Sequence, residues 1–148
     1  MAYSKDIDKG LTVIGAIVII VIIAVLITAV FFYFMGNSTA GKNDAIKEIL
    51  ANLLVVGANY LDANNNSYQN FCKSTQVTSL QEAISNKGGS DNVCNCDTLD
   101  CAENSQAWCA CAQEAGISGK TFCVDSSNYK KESGTPCSVR CYNGACSD

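Results

Sequence analysis

Ten cysteines hold most of the reactive chemistry of this 148-residue chain, and none occurs before Cys72. They are Cys72, Cys94, Cys96, Cys101, Cys109, Cys111, Cys123, Cys137, Cys141 and Cys146. As thiolates they could ligate zinc; as oxidised pairs they could staple a small domain. Zinc sites favour Cys-x-x-Cys spacings or added histidines, and this chain has neither. An even number of cysteines in a domain too small for a large core points to disulfides. Disulfides place this part of the chain outside the cytoplasm. Two Cys-x-Cys pairs, Cys94/Cys96 and Cys109/Cys111, are informative. Residues two apart on a strand point to one face, so each pair is expected to bridge two different partners rather than itself. Ten cysteines allow roughly 900 pairings, so spacing alone leaves the connectivity open.

Other chemistry is sparse. The absence of histidine removes histidine general bases, Ser/His/Asp triads and Cys/His dyads. No catalytic set is expected, and no cofactor or metal. Asp91, Asp97, Asp100, Asp125 and Asp148 could offer oxygens to calcium, but they lack EF-hand spacing and read as solvated turn residues. The net charge is −4 and the basic residues are scattered, so nucleic acid is not an expected partner. Asn37-Ser38-Thr39 and Asn65-Asn66-Ser67 match the glycosylation sequon. Trp108 reads as a core residue.

The elements that must position these cysteines begin with Leu11 to Met35, which has no charge and no proline. As a helix it would reach ~37 Å, enough for a ~30 Å hydrocarbon core with some tilt. Phe31, Phe32, Tyr33 and Phe34 form an aromatic cluster at its far end, where an interfacial belt is expected. Before it, residues 1–10 are short and polar. After it, residues 36–43 contain Gly36 and Gly41 and read as a hinge, with Asn43 as N-cap of the next element. From Asp44 to Ala63, residues Ile46, Ile49, Leu50, Leu53, Val56, Tyr60 and Leu61 recur at spacings of three and four and predict an amphipathic helix. Asn64 to Ser67 predicts a turn. Ser79 and Glu82 fit a capping box ahead of a short helix over 80–85, closed by Gly88 and Gly89. Trp108 to Ala112, Thr121 to Asp125 and Cys137 to Tyr142 are the clearest predicted strands.

The N-terminal residues resemble the type IV pilin and pseudopilin family. Its class III signal is a short polar leader ending in Lys-Gly before an apolar helix, and here Lys9-Gly10 precedes Leu11-Thr12-Val13-Ile14-Gly15. The resemblance implies cleavage between Gly10 and Leu11 by a membrane aspartyl peptidase, leaving Leu11 as a new and often N-methylated terminus. The retained helix would form the filament core, and the amphipathic 44–63 helix its continuation onto a small antiparallel sheet. Tyr60-Leu61-Asp62 with the Asn-rich turn, Trp108-Cys109-Ala110 and 122–127 also resemble family segments. One position departs. Family members usually carry Glu fifth in the mature chain, and here that residue is Gly15.

The expected fold is therefore α+β: a long N-terminal helix packed on a small antiparallel sheet, with a disulfide-rich C-terminal region. The expected organisation is a cytoplasmic leader at 1–10, a transmembrane and assembly helix at 11–35, a hinge at 36–43 and an extracytoplasmic domain at 44–148. The expected role is a structural filament subunit whose partners are copies of itself, the prepilin peptidase and assembly machinery, and the membrane during biogenesis. Its location would be a single-pass membrane protein, N-terminus inside, and then an extracellular filament. Gly15, Ala16 and Ala24 are candidate close-packing positions beside Leu11, because helices already in lipid associate through small residues. Two alternatives remain. The chain could be a membrane-anchored adhesive or ligand-binding domain that never polymerises. It could also be secreted after cleavage at the small-x-small run Ser38-Thr39-Ala40, although the apolar stretch exceeds a usual signal peptide.

Overall fold

The apolar stripe predicted over 44–63 lies on helix α1, Thr39–Ala63, which buries Ile46, Leu50, Leu53 and Gly57 on one face. The computed structural model describes residues 15, 17–28, 38–116 and 119–148. Helix α1 begins earlier than expected, so 39–43 is helical rather than hinge. Asn43 is not its N-cap. It is buried inside α1, and its side-chain oxygen accepts the Ala115 backbone N–H at 2.8 Å. This tertiary bond and the packing of Thr39 against Gly116 support a helical turn that local propensity alone would leave frayed.

The α1 C-terminus unwinds at the Asn-rich turn. Asn65 and Asn66 adopt left-handed φ of 55° and 57°, and the Asn66 N–H returns to the Leu61 carbonyl. Asn tolerates this conformation better than most residues. A 3-10 turn, η1 (Phe71–Lys73), leads into helix α2, Thr75–Asn86. The capping-box prediction is displaced here. Ser74, not Ser79, is the N-cap, accepting the Val77 N–H, and Ser79 lies inside the helix. Burial of Val77 and Ile84 on one face extends α2 beyond the predicted 80–85. The predicted closure at the glycines is observed. Gly88, at φ 88°, donates to Ser85 O and Gly89 donates to Ile84 O, a Schellman arrangement.

Four antiparallel strands follow: β1 (Ser90–Cys96), β2 (Trp108–Gln113), β3 (Thr121–Asp125) and β4 (Lys130–Ser133), in spatial order β1-β2-β3-β4. A 3-10 turn, η2 (Leu99–Cys101), lies between β1 and β2. A register shift between Ser90 and Val93 marks a bulge at Asp91, whose φ is 50°. Strands β2 and β3 match their predictions. The third predicted strand, Cys137 to Tyr142, is corrected. Cys137–Arg140 is one helical turn, α3, and only Cys141–Tyr142 is extended, as β5 paired with β6 (Ala145–Cys146). Pro136, at φ −58°, starts the turn in place of a strand.

The sheet alternates cleanly. One face carries Cys94, Cys96, Trp108, Ala110, Ala112, Phe122 and Val124, joining α1, Phe71, Val77 and Ile84 in the main core. Trp108 fits because Gly57 has no side chain: a Cβ there would sit 2.7 Å from the indole. The other face carries Cys109, Cys111 and Cys123, which form a second core with Cys137 and Cys141. The domain from Thr39 to Asp148 is thus mixed helix and antiparallel sheet, with disulfides on both faces. It is a separate compact unit from Met1–Ser38.

In that first unit, 17–28 are helical, and the side chains of Ile17, Val18, Ile19, Ile20, Val21, Ile22, Ile23, Val25, Leu26 and Ile27 are 49–65% exposed. Among the described residues no helix is long and apolar enough to cross a membrane. The remainder of the expected 11–35 helix, and the expected leader, lie outside the described residues.

Candidate functional site

On the outer face, three bridges tie the C-terminal segment to the sheet: Cys109–Cys141, Cys111–Cys137 and Cys123–Cys146. The Cys109/Cys111 pair therefore reaches two different partners, as its spacing predicted. The geometry is a length match. Residues two apart on a strand advance ~6.7 Å, and residues four apart on a helical turn advance ~6 Å. Cys137 and Cys141 can thus face Cys111 and Cys109 together. A Cys-x-Cys strand opposite a Cys-x-x-x-Cys turn is a two-rung ladder.

Two buried charges complete this face. Arg140 is fully buried. Its Nε donates to Ser147 O at 3.0 Å, one terminal nitrogen to Thr121 O at 3.0 Å, and the other to Lys131 O at 2.6 Å. One guanidinium thus joins β3, β4 and the C-terminal hairpin. Asp125 is 3% exposed, and its oxygens accept from Ser127, Tyr129 and the Cys146 N–H. Asn95 donates to the Cys141 carbonyl at 2.9 Å.

On the helix-facing side, Cys72–Cys94 joins η1 to β1, and Cys96–Cys101 closes the short loop through η2. The first Cys-x-Cys pair also splits its partners, as predicted. The two bridges nearly touch, with Cys72 Sγ 3.9 Å from Cys96 Sγ. They border an open groove of about 640 Å3 along β1, lined also by Lys73, Asp97 and Asp100. Sulfurs of Cys72, Cys96 and Cys101 lie within 4.8 Å of one another, close enough to share a metal ion as thiolates. Each is already bonded to another cysteine, which leaves no thiolate for ligation.

A third cluster sits where α1 meets the sheet. Lys47 pairs with buried Glu114 at 3.2 Å and with Glu132. Hydrogen bonding to Glu132 raises the Lys47 pKa, against the effect of burial, and the bond from Lys47 holds the Glu132 carboxyl below its ordinary range.

The five aspartates considered for calcium do not converge. Asp91 accepts the Cys137 N–H, Asp97 accepts from Ser105 and Gln106, and Asp125 serves the turn above. Asp100 faces Lys73 at 3.7 Å, and Asp148 pairs with Lys131 at 2.8 Å. Burial pushes Asp97 upward, but hydrogen bonds from Ser105, Gln106 and Ala107 outweigh it and hold the carboxyl low. The sequon residue Asn65 is exposed, whereas Asn37 lies outside the described residues. Trp108 is buried, as predicted.

Of the predicted assembly positions, Gly15 and Ala24 are helical, and nothing lies within 4 Å of where a Gly15 Cβ would sit. Gly10, Leu11 and Ala16 lie outside the described residues. Sequence reasoning missed Arg140, the tertiary bond of Asn43 and the Lys47 cluster, since their partners are remote in the chain. It also passed over Asn143-Gly144, where positive φ values of 50° and 73° make the two-residue turn between β5 and β6. That dipeptide is a strong hairpin signal.

Comparison of the chain with protein-family models, with curated proteins and with solved structures returned no match.

Proposed function

We propose that this protein is a structural subunit of a type IV pilus-like or secretion-related filament, cut after Gly10 and polymerised through residues 11–35. The observation that carries this is the pairing of two unlike helical segments. Residues 17–28 are helical and apolar on every side, with bulky Ile and Val chains exposed in the single chain. Helix α1 spends its buried apolar face on its own sheet, and Val55 is its one large apolar side chain left well exposed. A helix apolar all round must be covered by lipid or by other helices. At ~25 cal/mol per Å2, packing such helices together once they leave the bilayer would make a very stable polymer. Lys9-Gly10 ahead of the apolar stretch supports processing at that junction. The cysteine-rich domain would then face outward from the filament in an oxidising environment, in keeping with five disulfides and no free cysteine among the described residues. The role is structural rather than catalytic.

Mass spectrometry of the mature N-terminus tests this directly. A chain beginning at Leu11, with or without an N-methyl group, is the expected result. A chain beginning at Met1 or Ala2 would instead mark a non-polymerising surface anchor, and one beginning near Gly41 would mark a secreted domain and sink both.

A further inference from the structure

Of the five bridges, Cys72–Cys94 alone has neither cysteine fully buried, and it opens on the 640 Å3 groove. The second bridge beside it places Cys96 Sγ 3.9 Å from Cys72 Sγ, near van der Waals contact. Exchange between disulfides needs an accessible sulfur, an attacking thiolate and a neighbouring sulfur within reach. The groove supplies access; its charged lining is mixed, Lys73 beside Asp97 and Asp100, so reactivity rests on access and on the neighbouring sulfur. On the outer face, by contrast, Cys109, Cys111, Cys123, Cys137 and Cys141 are all at most 1% exposed, and Cys146 alone is partly exposed, so every outer bridge keeps at least one buried sulfur.

We infer that Cys94 is a covalent attachment site for a small external thiol, and that the two helix-side bridges act as a disulfide relay. The thiolate of the incoming thiol attacks Cys94 Sγ. A mixed disulfide forms at Cys94, the Cys72–Cys94 bond breaks, and Cys72 leaves as a thiolate. Cys72 then attacks Cys96 Sγ; the Cys72–Cys96 bond forms, the Cys96–Cys101 bond breaks, and the Cys101 thiolate takes up a proton. One external thiol is consumed and one protein thiol appears, so the protein undergoes no net oxidation or reduction. The product holds η1 to β1 through Cys72–Cys96 and releases the loop carrying Leu99, which is already 90% exposed.

The test treats the full-length chain, kept in mild detergent, with glutathione, followed by acid quench and N-ethylmaleimide. Cleavage at aspartates separates Cys96 from Cys101, and fragmentation locates each label. The expected products are glutathione on Cys94, a Cys72–Cys96 cross-link and maleimide on Cys101, with the three outer bridges intact. Maleimide on Cys72 beside an intact Cys96–Cys101 bridge overturns the relay. Reaction at all five bridges at one rate, or none at Cys94, overturns the site. Cys101→Ser gives an arm without added thiol. Its free Cys96 should attack Cys72, so that label divides between Cys94 and Cys96; label confined to Cys96 overturns the inference.

Discussion

The two faces of the sheet are built from the same strands by different means. The helix-facing side is a conventional apolar core, in which Trp108 and Phe71 pack with Ile46, Leu50 and Leu53 of α1, all nearly inaccessible. Among the described residues, the outer side has no covering helix longer than one turn and no large apolar side chain at its centre. Five buried cysteines, one buried arginine and one buried aspartate fill that place. Neutral sulfur bridges bury little area, so this face depends on covalent closure and on satisfying every carbonyl around Arg140. The contrast shows how a short chain gives a sheet two covered sides with apolar helices on only one of them.

The sharpest way to break the contrast is Trp108→Ala. Truncating a buried aromatic costs about 3–5 kcal/mol, and chemical denaturation should read that loss while mass mapping finds the outer bridges intact. Breaking the other side comes next. Replacing Cys109 and Cys141 together with alanine should cost about 2–5 kcal/mol, seen as a lowered melting temperature. As the chain's single tryptophan, Trp108 should keep its native fluorescence below that transition. Arg140→Met keeps the volume but strands the carbonyls of Thr121, Lys131 and Ser147. A loss of about 1–3 kcal/mol is expected, with faster hydrogen exchange in β6 than in α1. If exchange rises equally in both, the faces are one cooperative unit and the contrast has no energetic meaning.

The smallest effect is electrostatic and lies at the seam. Glu132 is held below its ordinary pKa by Lys47, so its contribution is present above the unfolded value, about 4.3, and is lost as pH falls through the lower folded value. Lys47 is raised, so its contribution is present below the unfolded value, about 10.4, and is lost as pH climbs through the higher folded one. Both groups are partly exposed, and solvent screening keeps the effect under about 1 kcal/mol. Denaturation midpoints should be flat at neutral pH and fall at both extremes, and Glu132→Gln, which leaves Lys47 on buried Glu114, should shrink both falls.

Sequence periodicity revealed what depends on neighbours along the chain. The stripe from Ile46 to Leu61, strands β2 and β3, the Asn-rich turn and the glycine stop after α2 all follow from local spacing. The split partners of each Cys-x-Cys pair also followed, because strand geometry places both sulfurs on one face and favours two separate partners. Partner identity did not, since it depends on which segments the fold brings together. The early start of α1 depends on Asn43 meeting Ala115, and the cap at Ser74 on the burial of Val77; neither contact has a local signature. The Cys137 turn was obscured because β-branched Val139 and two cysteines mimic a strand.

None of the five bridges has a cysteine in α1: the covalent web begins at Cys72 and ends at Cys146. Mechanically, the domain is therefore a tethered handle on a cross-linked block. A pull applied at Thr39 would load apolar contacts and the Lys47 pairs first, and those yield by sliding and can re-form. The block behind them can lengthen only where no bridge closes a loop. Under tension α1 is the fuse and the sheet is what it protects.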